Sequence, residues 1–315
     1  MHPSLCTKDM SVYIKQNSSI QRFNSSDSWP ILSPIEEGIK RKIEAIGKPL
    51  KDWDVQINYG IKTGFNEAFI ISRAKRDEII AADPKSAEII RPILRGRDIK
   101  RYGYTFADLW VILAKFGSQK YLENEYPAIF RHLEQYENKL KQRGQCRYTS
   151  NRKINTDKPY PGQHHWLELD NNPSDKYLDD FSKQKIIWGN LCLNAQYAFA
   201  EEQYFISAPA TMIVPGDKYL LAVLNSKLAD FYIHTQGVTR SGGYFEYKPM
   251  FIERIPLPIL SEEAKIPFTT LVEKICNNMH EPTSFTLVEQ EIDMMICELF
   301  KLNDVEKNYI LSLER

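Results

Sequence analysis

Residues 53–71 read WDVQINYGIKTGFNEAFII, and the pattern in this stretch decides the fold class. Apolar and polar residues alternate in WDVQINYGI and again in EAFII, which is typical of strands with one buried face. Between these segments Gly60 and Gly64 bracket Lys62 and Thr63. A Walker loop requires GxxxxGK[ST] followed by a helix, whereas this lysine precedes the second glycine. The stretch therefore predicts a loop between two strands and not a cradle for nucleotide phosphates.

The flanking segments add helices and further strands. Isoleucines recur at helical intervals in residues 33–47, and Gly47 follows as a stop signal. Asp83 followed by Pro84 predicts a helix start in DPKSAEIIRPIL. Amphipathic patterns predict two more helices, at 126–144 and 217–235. A buried strand is predicted for LWVILAKF, and further strands are predicted for KIIWGNLC and ATMIVP.

From Ser261 onward the pattern is purely helical, and Thr286 and Glu289 have the spacing of a capping box. We predict an α/β (α+β) fold with a mixed, largely antiparallel sheet, packed helices and a small C-terminal helical tail. The predicted parts are a polar lead-in at 1–32, a main domain at 33–260 and a helical segment at 261–315.

Composition limits the possible classes of function. The chain has 315 residues, is 43% hydrophobic and has a formal net charge of zero. Residues 261–315 hold 11 acids and 5 bases, so the remainder is basic by the same excess. The five cysteines are scattered without a CxxC pair, which indicates free thiols in a reducing cytoplasm. With no signal pattern and no apolar run near ~18 residues, we expect a cytoplasmic protein without membrane contact.

Catalytic motifs are not found. An amino-methylating site needs Asn or Asp, then Pro-Pro and an aromatic residue to hold a flipped base. The nearest match, at residues 170–174, has one proline and no aromatic residue beside it. Glu263 and Lys265 have a nuclease-like spacing but no suitable acidic pair upstream. No histidine or cysteine cluster has metal-ligand spacing. We predict no catalytic residue and no metal site.

Basic and glycine-rich clusters are the remaining candidates. Guanidinium groups pair bidentately with phosphate or with guanine edges, and glycines let backbone amides approach a phosphate. A solvated basic face with core aromatic residues is the alternative. The three clusters are Arg95, Arg97, Lys100 and Arg101; the loop 143–158 with Arg147, Arg152 and Lys153; and the segment 239–243 with Arg240 and Gly242.

Several segments in order resemble the TaqI-like C-terminal specificity domain, the target recognition domain of type IIG restriction-modification enzymes and related adenine methyltransferases. They are residues 53–71, SAEIIRPILRGRDIKRYGY (86–104), WGNLC (188–192), YLLAVLNSKLADFYI (219–233) and ERIPLPIL (253–260). The acidic tail at 289–310 resembles the helical end of those proteins. The resemblance covers roughly residues 30–313.

The resemblance implies a DNA recognition module for 33–260 that is not an enzyme by itself. Its expected partners are double-stranded DNA and methyltransferase and nuclease domains or a subunit carrying them. S-adenosylmethionine and magnesium would belong to those catalytic parts, so no cofactor is expected in this chain. Two alternatives remain open: a specificity subunit that completes a split adenine methyltransferase, and an interaction remnant without DNA binding.

The resemblance also names contact residues. Gly60 to Asn66 matches the family's signature loop, so Lys62, Thr63 and Asn66 are expected to face DNA. Thr63 and Asn66 could instead only satisfy the backbone of the turn. Arg95 and Arg97 fall in the LRGRDI segment and could alternatively pair with Asp98 or Asp108. The segment HWLELD (165–170) departs from the family's usual pattern. Its His165 and Trp166 are the remaining residues that are expected to contact DNA.

Overall fold

The computed structural model describes residues 32–147, 160–171, 173–236, 239–277 and 282–314. The helices are α1 Pro34–Ile46, α2 Asn66–Phe69, α3 Arg73–Ala82, α4 Leu122–Glu125, α5 Pro127–Glu134, α6 Glu137–Lys141, α7 Asp175–Asp179, α8 Lys218–Leu224, α9 Lys227–Gln236, α10 Pro249–Ile252, α11 Glu262–Asn277, α12 Pro282–Leu299 and α13 Asp304–Ser312. The strands are β1 Lys48–Pro49, β2 Gln56–Tyr59, β3 Ile70–Ser72, β4 Ile90–Leu94, β5 Ile99–Lys100, β6 Gly103–Tyr104, β7 Leu109–Ile112, β8 Lys185–Trp188, β9 Leu191–Cys192, β10 Tyr197–Ala200, β11 Phe205–Ile206, β12 Thr211–Val214, β13 Phe245–Glu246 and β14 Pro256–Leu257.

Two four-stranded sheets form the centre of the molecule. The first has the order β10-β8-β12-β2 and is antiparallel throughout. The second has the order β11-β4-β7-β3 and contains one parallel pair, β11 with β4. Two-stranded pairs β1–β14, β5–β6 and β9–β13 complete the strands. The predicted α+β class with largely antiparallel sheets is confirmed.

The first sheet separates two hydrophobic cores because neighbouring residues of a strand point to opposite faces. Ile186 and Ile213 join one core with α1, α8, α9 and the C-terminal helices. Ile187 and Met212, one position away, join the other core with the second sheet. Every residue of β8 and β12 is buried, and after Lys185 and Thr211 at their starts both strands are apolar.

The predicted helix at 33–47 is confirmed, and its ends follow the expected chemistry. Ser33 and Glu36 form a capping box at the start of α1, with the Ser33 backbone N–H donating to Glu36 Oε2 over 2.6 Å. Gly47 closes the helix by donating its N–H to the Ile43 carbonyl over 2.9 Å. The buried stripe of α1 then rests on the first core through Ile39 and Ile43.

Two predictions near the opening stretch are wrong because tertiary pairing overrides the local pattern. EAFII is not a continuous strand, since Asn66–Phe69 forms one helical turn before β3. That turn buries the neighbours Ala68 and Phe69 together, which a strand cannot do on one face. The helix predicted from Pro84 is only a 3₁₀ helix over Pro84–Ile89, because Ile90–Leu94 pairs with β7 and β11 instead.

Two predicted long helices are each divided in two. The 126–144 helix breaks between α5 and α6, and the 217–235 helix breaks between α8 and α9. At the second break Asn225 leaves the helix, and its amide exchanges two hydrogen bonds with the Tyr197 backbone, at 2.9 and 3.0 Å. The predicted capping box at Thr286 is also wrong, since α12 begins earlier, at Pro282, and contains Thr286 in its interior.

The C-terminal helices pack on the same core as the rest of the chain. Phe268 and Val272 of α11 and Ile292 of α12 are buried in the first core together with Ile39 of α1. The division at residue 260 stays a prediction.

Among the described helices, none combines the length and apolarity that a membrane crossing requires.

Candidate nucleic-acid interface

The signature loop is closely packed at both of its glycines. A Cβ at Gly60 would lie 2.5 Å from the Ile206 carbonyl oxygen, and the Gly60 N–H donates to the Ala210 carbonyl over 2.8 Å. Gly64 has a φ of +68°, and a Cβ there would lie 2.4 Å from Asp170 Oδ1. Side chains are excluded at both positions, which explains the two glycines of the opening sequence.

Buried Arg143 stabilises this loop through hydrogen bonds to backbone carbonyls. Its guanidinium donates to the Thr63 carbonyl over 2.7 Å, to the Trp166 carbonyl over 2.8 Å and to the Glu168 carbonyl over 2.7 Å. Burial lowers the pKa of Arg143. This arginine belongs to the basic segment singled out from the sequence, but its donors are used inside the protein.

A second buried group, His164, completes the support. His164 Nε2 lies 2.9 Å from Asp170 Oδ1, and its Nδ1 lies 2.9 Å from the His165 carbonyl oxygen and 3.5 Å from Cys146 Sγ. Burial lowers the pKa of His164, but the bonds to Asp170, Cys146 and the His165 carbonyl outweigh it and raise the pKa to about 9. Asp170 therefore faces a cation on one side and Gly64 on the other.

The loop residues predicted to face DNA divide into two groups. Thr63 is buried, and its hydroxyl donates to Asn66 Oδ1 over 2.5 Å, as expected for the turn-stabilising alternative. Lys62 and Asn66 are exposed. Lys62 lines a depression of about 280 Å³ beside Tyr59 and Tyr177, whereas Asn66 lines a larger groove on the other side of the loop.

The LRGRDI segment forms one wall of that groove. Asp98 accepts from the Arg95 backbone N–H over 2.8 Å and from Arg95 Nη2 over 2.7 Å, so the alternative ion pair is present. Burial raises the pKa of Asp98, but the bonds from Arg95 outweigh it and lower the pKa. Arg97 and Lys100 are exposed, and within the described part of the chain neither forms an ion pair.

The groove has a volume of about 570 Å³, and its sides differ in chemistry. The LRGRDI segment supplies the basic lining residues, and several other lining residues are small. The remaining part, here called the apolar side, carries exposed apolar groups. The lining residues are Asn66, Arg95, Gly96, Arg97, Ile99, Lys100, Gly189, Asn190, Leu191, Cys192, Leu193, Gln196, Ser207, Ala208, Pro209, Ala210 and Tyr244. Four predicted contact residues are thus brought together: Asn66, Arg95, Arg97 and Lys100.

The apolar side is formed by the ribbon β9–β13, in which Leu191 pairs with Glu246 and Cys192 pairs with Phe245. Arg240 and Gly242 lie in the turn that leads into β13, and Gly242 has a φ of +81°. Arg240 Nε donates to Glu246 Oε1 over 2.6 Å, so its charge is paired within the ribbon. Both residues lie at the rim beside Tyr244 and do not line the groove.

The other residues predicted to contact DNA are buried, half-buried or outside the described residues. Arg101 is largely buried and pairs with Glu289 of α12, while it also donates to the carbonyls of Asn225 and Ala195. Trp166 is buried in the second core. His165 and Arg147 are half-buried, and burial is the main cause that lowers the pKa of His165 to about 4. Arg152 and Lys153 lie outside the described residues.

Sequence reasoning missed the apolar side of the groove. Asn190 and Leu191 enter only within the predicted strand KIIWGNLC and the resembling segment WGNLC, and Leu193 and Tyr244 carry no motif of their own. The signal that could have found them is the exposure of large apolar groups, which arises only after folding.

Within the described ranges, no group of three or more His, Cys, Asp or Glu side chains is placed to hold a metal ion.

A family model described as the TaqI-like C-terminal specificity domain matches residues 91–257, just over half of the chain. The chain belongs to this family of specificity domains. The match includes the basic wall of the groove and β9–β13 and begins after the signature loop. No curated protein matches the sequence.

Two solved structures are similar to this chain. One is the type IIL restriction-modification enzyme MmeI, solved in complex with DNA, with a TM-score of 0.58 and 12% identity over 84% of this chain and 37% of that one. The other is the type IIG restriction endonuclease BpuSI, with a TM-score of 0.47 and 13% identity over 84% of this chain and 33% of that one. At such identity the likeness to MmeI concerns the fold. The chain spans about a third of either enzyme's length.

Proposed function

We propose that this chain is the sequence-specific double-stranded DNA recognition module of a type IIG restriction-modification enzyme, and that it is not catalytic by itself. The observation that carries the proposal is the groove into which Asn66, Arg95, Arg97 and Lys100 converge from two distant segments. Membership of a specificity-domain family supports the same function. The solved MmeI enzyme, which shares the fold, is a complex with DNA.

The groove offers the two kinds of contact that DNA recognition requires. Arg97 and Lys100 are exposed cations that can pair with phosphates and set the register of the duplex. Asn66, Asn190 and Gln196 supply amides, which can donate to and accept from base edges. Lys62, on the far side of the loop, would extend the phosphate contacts.

We further propose that the catalytic partners are methyltransferase and nuclease parts, on the same or another chain. S-adenosylmethionine and magnesium would bind to those parts. Thr63, Arg101, Arg143 and Trp166 would act by holding the interface in place and would not touch DNA.

The test is binding of the 315-residue chain to a random pool of double-stranded DNA, with selection and a salt titration. We expect an enriched motif and an affinity that falls steeply with salt. Arg97→Ala should weaken binding and reduce the salt slope by about one. Arg41→Ala, at an exposed residue of α1 that does not line the groove, is the matched control and should change neither.

Other outcomes would change the proposal. Weak binding without sequence preference would mean that specific DNA binding also requires the catalytic part. That is the arrangement of a split methyltransferase with a separate specificity subunit. Absence of binding at low salt would reject DNA recognition by this chain. An equal effect of Arg97→Ala and Arg41→Ala would move the interface away from the groove.

A further inference from the structure

The ribbon β9–β13 presents an unusual face to the groove. Leu191 is 53% exposed, Leu193 is 48% exposed and Tyr244 is 40% exposed, and all three line the same cavity. The opposite face of the ribbon is anchored, because the Phe245 ring stacks on His234 of α9 with centroids 3.6 Å apart. The apolar side chains are therefore held outward on a supported element.

The charges of the ribbon are paired among themselves. Glu246 binds Arg240 and also lies 2.8 Å from Lys248 Nζ, so one carboxylate faces two cations. The open cations of the groove, Arg97 and Lys100, belong to the LRGRDI segment and not to the ribbon. A nucleic-acid strand in this groove would keep its phosphates near Arg97 and Lys100 and turn its bases towards the ribbon.

The shape of the ribbon limits which part of DNA it can meet. The major groove of B-DNA is about 12 Å wide and admits a two-stranded ribbon, whereas the minor groove is about 6 Å wide. In the major groove the feature that apolar side chains contact is the thymine 5-methyl group. Aliphatic side chains have no hydrogen-bonding group with which to read any other base edge.

We infer that Leu191 and Leu193, beside Tyr244, read thymine methyl groups in the major groove, so that the recognised site contains at least one A·T pair beneath the ribbon. This inference rests on the proposed function and adds the class of base contact to it.

The experiment uses the site selected by the full chain. Each thymidine is replaced in turn by deoxyuridine, which removes one methyl group and leaves base pairing unchanged. At one or two positions the Kd should rise about fourfold, the effect of losing one buried methyl group. Leu191→Ala and Leu193→Ala should weaken binding to the thymidine site by a similar factor. At least one of them should remove the deoxyuridine effect at its own position.

The matched control is Leu287→Ala on α12, where the leucine is 69% exposed and does not line the groove. It should keep the full thymidine preference. All these side chains are exposed, so the variants should fold. Specific binding that is indifferent to deoxyuridine, or an enriched site without any A·T pair, would reject methyl reading while leaving the proposed function intact. Loss of affinity in the leucine variants without a change in thymidine preference would also reject it. Absence of all DNA binding would reject both the methyl reading and the proposed function.

Discussion

Gly64 meets two separate demands, a positive φ and the approach of the Asp170 carboxylate. Gly117 meets only the first, with a φ of +88° and no atom within 4 Å of the position that a Cβ would take. Gly144 meets neither, since its φ is not in the left-handed region and no atom lies within 4 Å of that position. A comparison of substitutions at the three glycines therefore separates the effect of backbone strain from the effect of the contact with Asp170.

Substitution of each glycine by alanine should therefore give graded losses of stability. Gly144→Ala should be near neutral, and Gly117→Ala should cost about 1 kcal/mol from strain alone. Gly64→Ala should cost more than about 2 kcal/mol, because the Asp170 carboxylate must also move. Urea unfolding measures all three. Equal costs at Gly64 and Gly117 would show that the Asp170 contact is unimportant.

His164 gives the loop support a defined pH dependence. Its pKa is raised to about 9 from the ordinary 6.5, so its contribution to stability is full below about 6.5 and is lost as pH rises through 9. Lys185 acts in the opposite direction, since burial lowers its pKa to about 8. The wild type must therefore be compared with a variant that changes His164 alone.

We expect the free energy of unfolding of the wild type, relative to His164→Gln, to fall between about pH 6.5 and about pH 9.5. The Lys185 effect is present in both proteins and cancels in the difference. Urea unfolding at each pH provides the measurement. A difference that is constant across this range would mean that folding does not raise the pKa of His164.

At the scale of elements, β5 ends at Lys100, and the residue that follows it, Arg101, is a second cation with different surroundings. Lys100 is exposed in the groove, whereas Arg101 is buried against Glu289 of α12. Removal of the cation from such an ion pair leaves the buried Glu289 carboxylate without this counter-charge, which costs several kcal/mol. The neighbouring residues should therefore respond oppositely to the same substitution.

Arg101→Met should lower the free energy of unfolding by about 3 kcal/mol and leave the salt slope of DNA binding unchanged. Lys100→Met should leave stability nearly unchanged and reduce the salt slope by about one. Chemical unfolding and salt titration on both variants test this pair. A reduced salt slope for Arg101→Met would restore Arg101 as a phosphate contact.

Elements whose local pattern agrees with their packing could be predicted from the sequence. Helix α1 and the central strands β8 and β12 are of this kind, because their caps and apolar runs specify one answer. Ile90–Leu94 could not be predicted, since its helical pattern is overridden by partners far away in the chain. Asn225 breaks a helix for the same reason, to bind the Tyr197 backbone.

Some residues of the candidate site could likewise be predicted from the sequence, and others could not. Arg97 and Lys100 could be found because basic residues near glycines are visible in sequence. Arg101 has the same sequence signal, and Thr63 lies in the same glycine-bracketed loop as Lys62. Burial distinguishes both from their neighbours, and burial depends on the whole fold. Leu193 gives no signal at all, because exposure of an apolar side chain is a property of the folded surface.

For the whole molecule, the shared core makes the C-terminal helices part of the fold. Phe268, Val272 and Ile292 fill the core that also contains Ile39 and Ile186. Removal of residues 261–315 should uncover this core and prevent cooperative unfolding of residues 33–260. Circular dichroism with thermal unfolding tests this. A cooperative transition in the shortened chain would support a domain boundary at 260.

The two strands of the groove ribbon are neighbours in space but lie more than forty positions apart in the chain, with α8 and α9 between them. A single genetic crossover within those helices would join β9 of one parent to β13 of another. The offspring would present a ribbon whose halves were never selected together. Under the proposed function, new specificities should therefore be inherited as a block that spans both strands, and a designer who exchanges them should move the whole block.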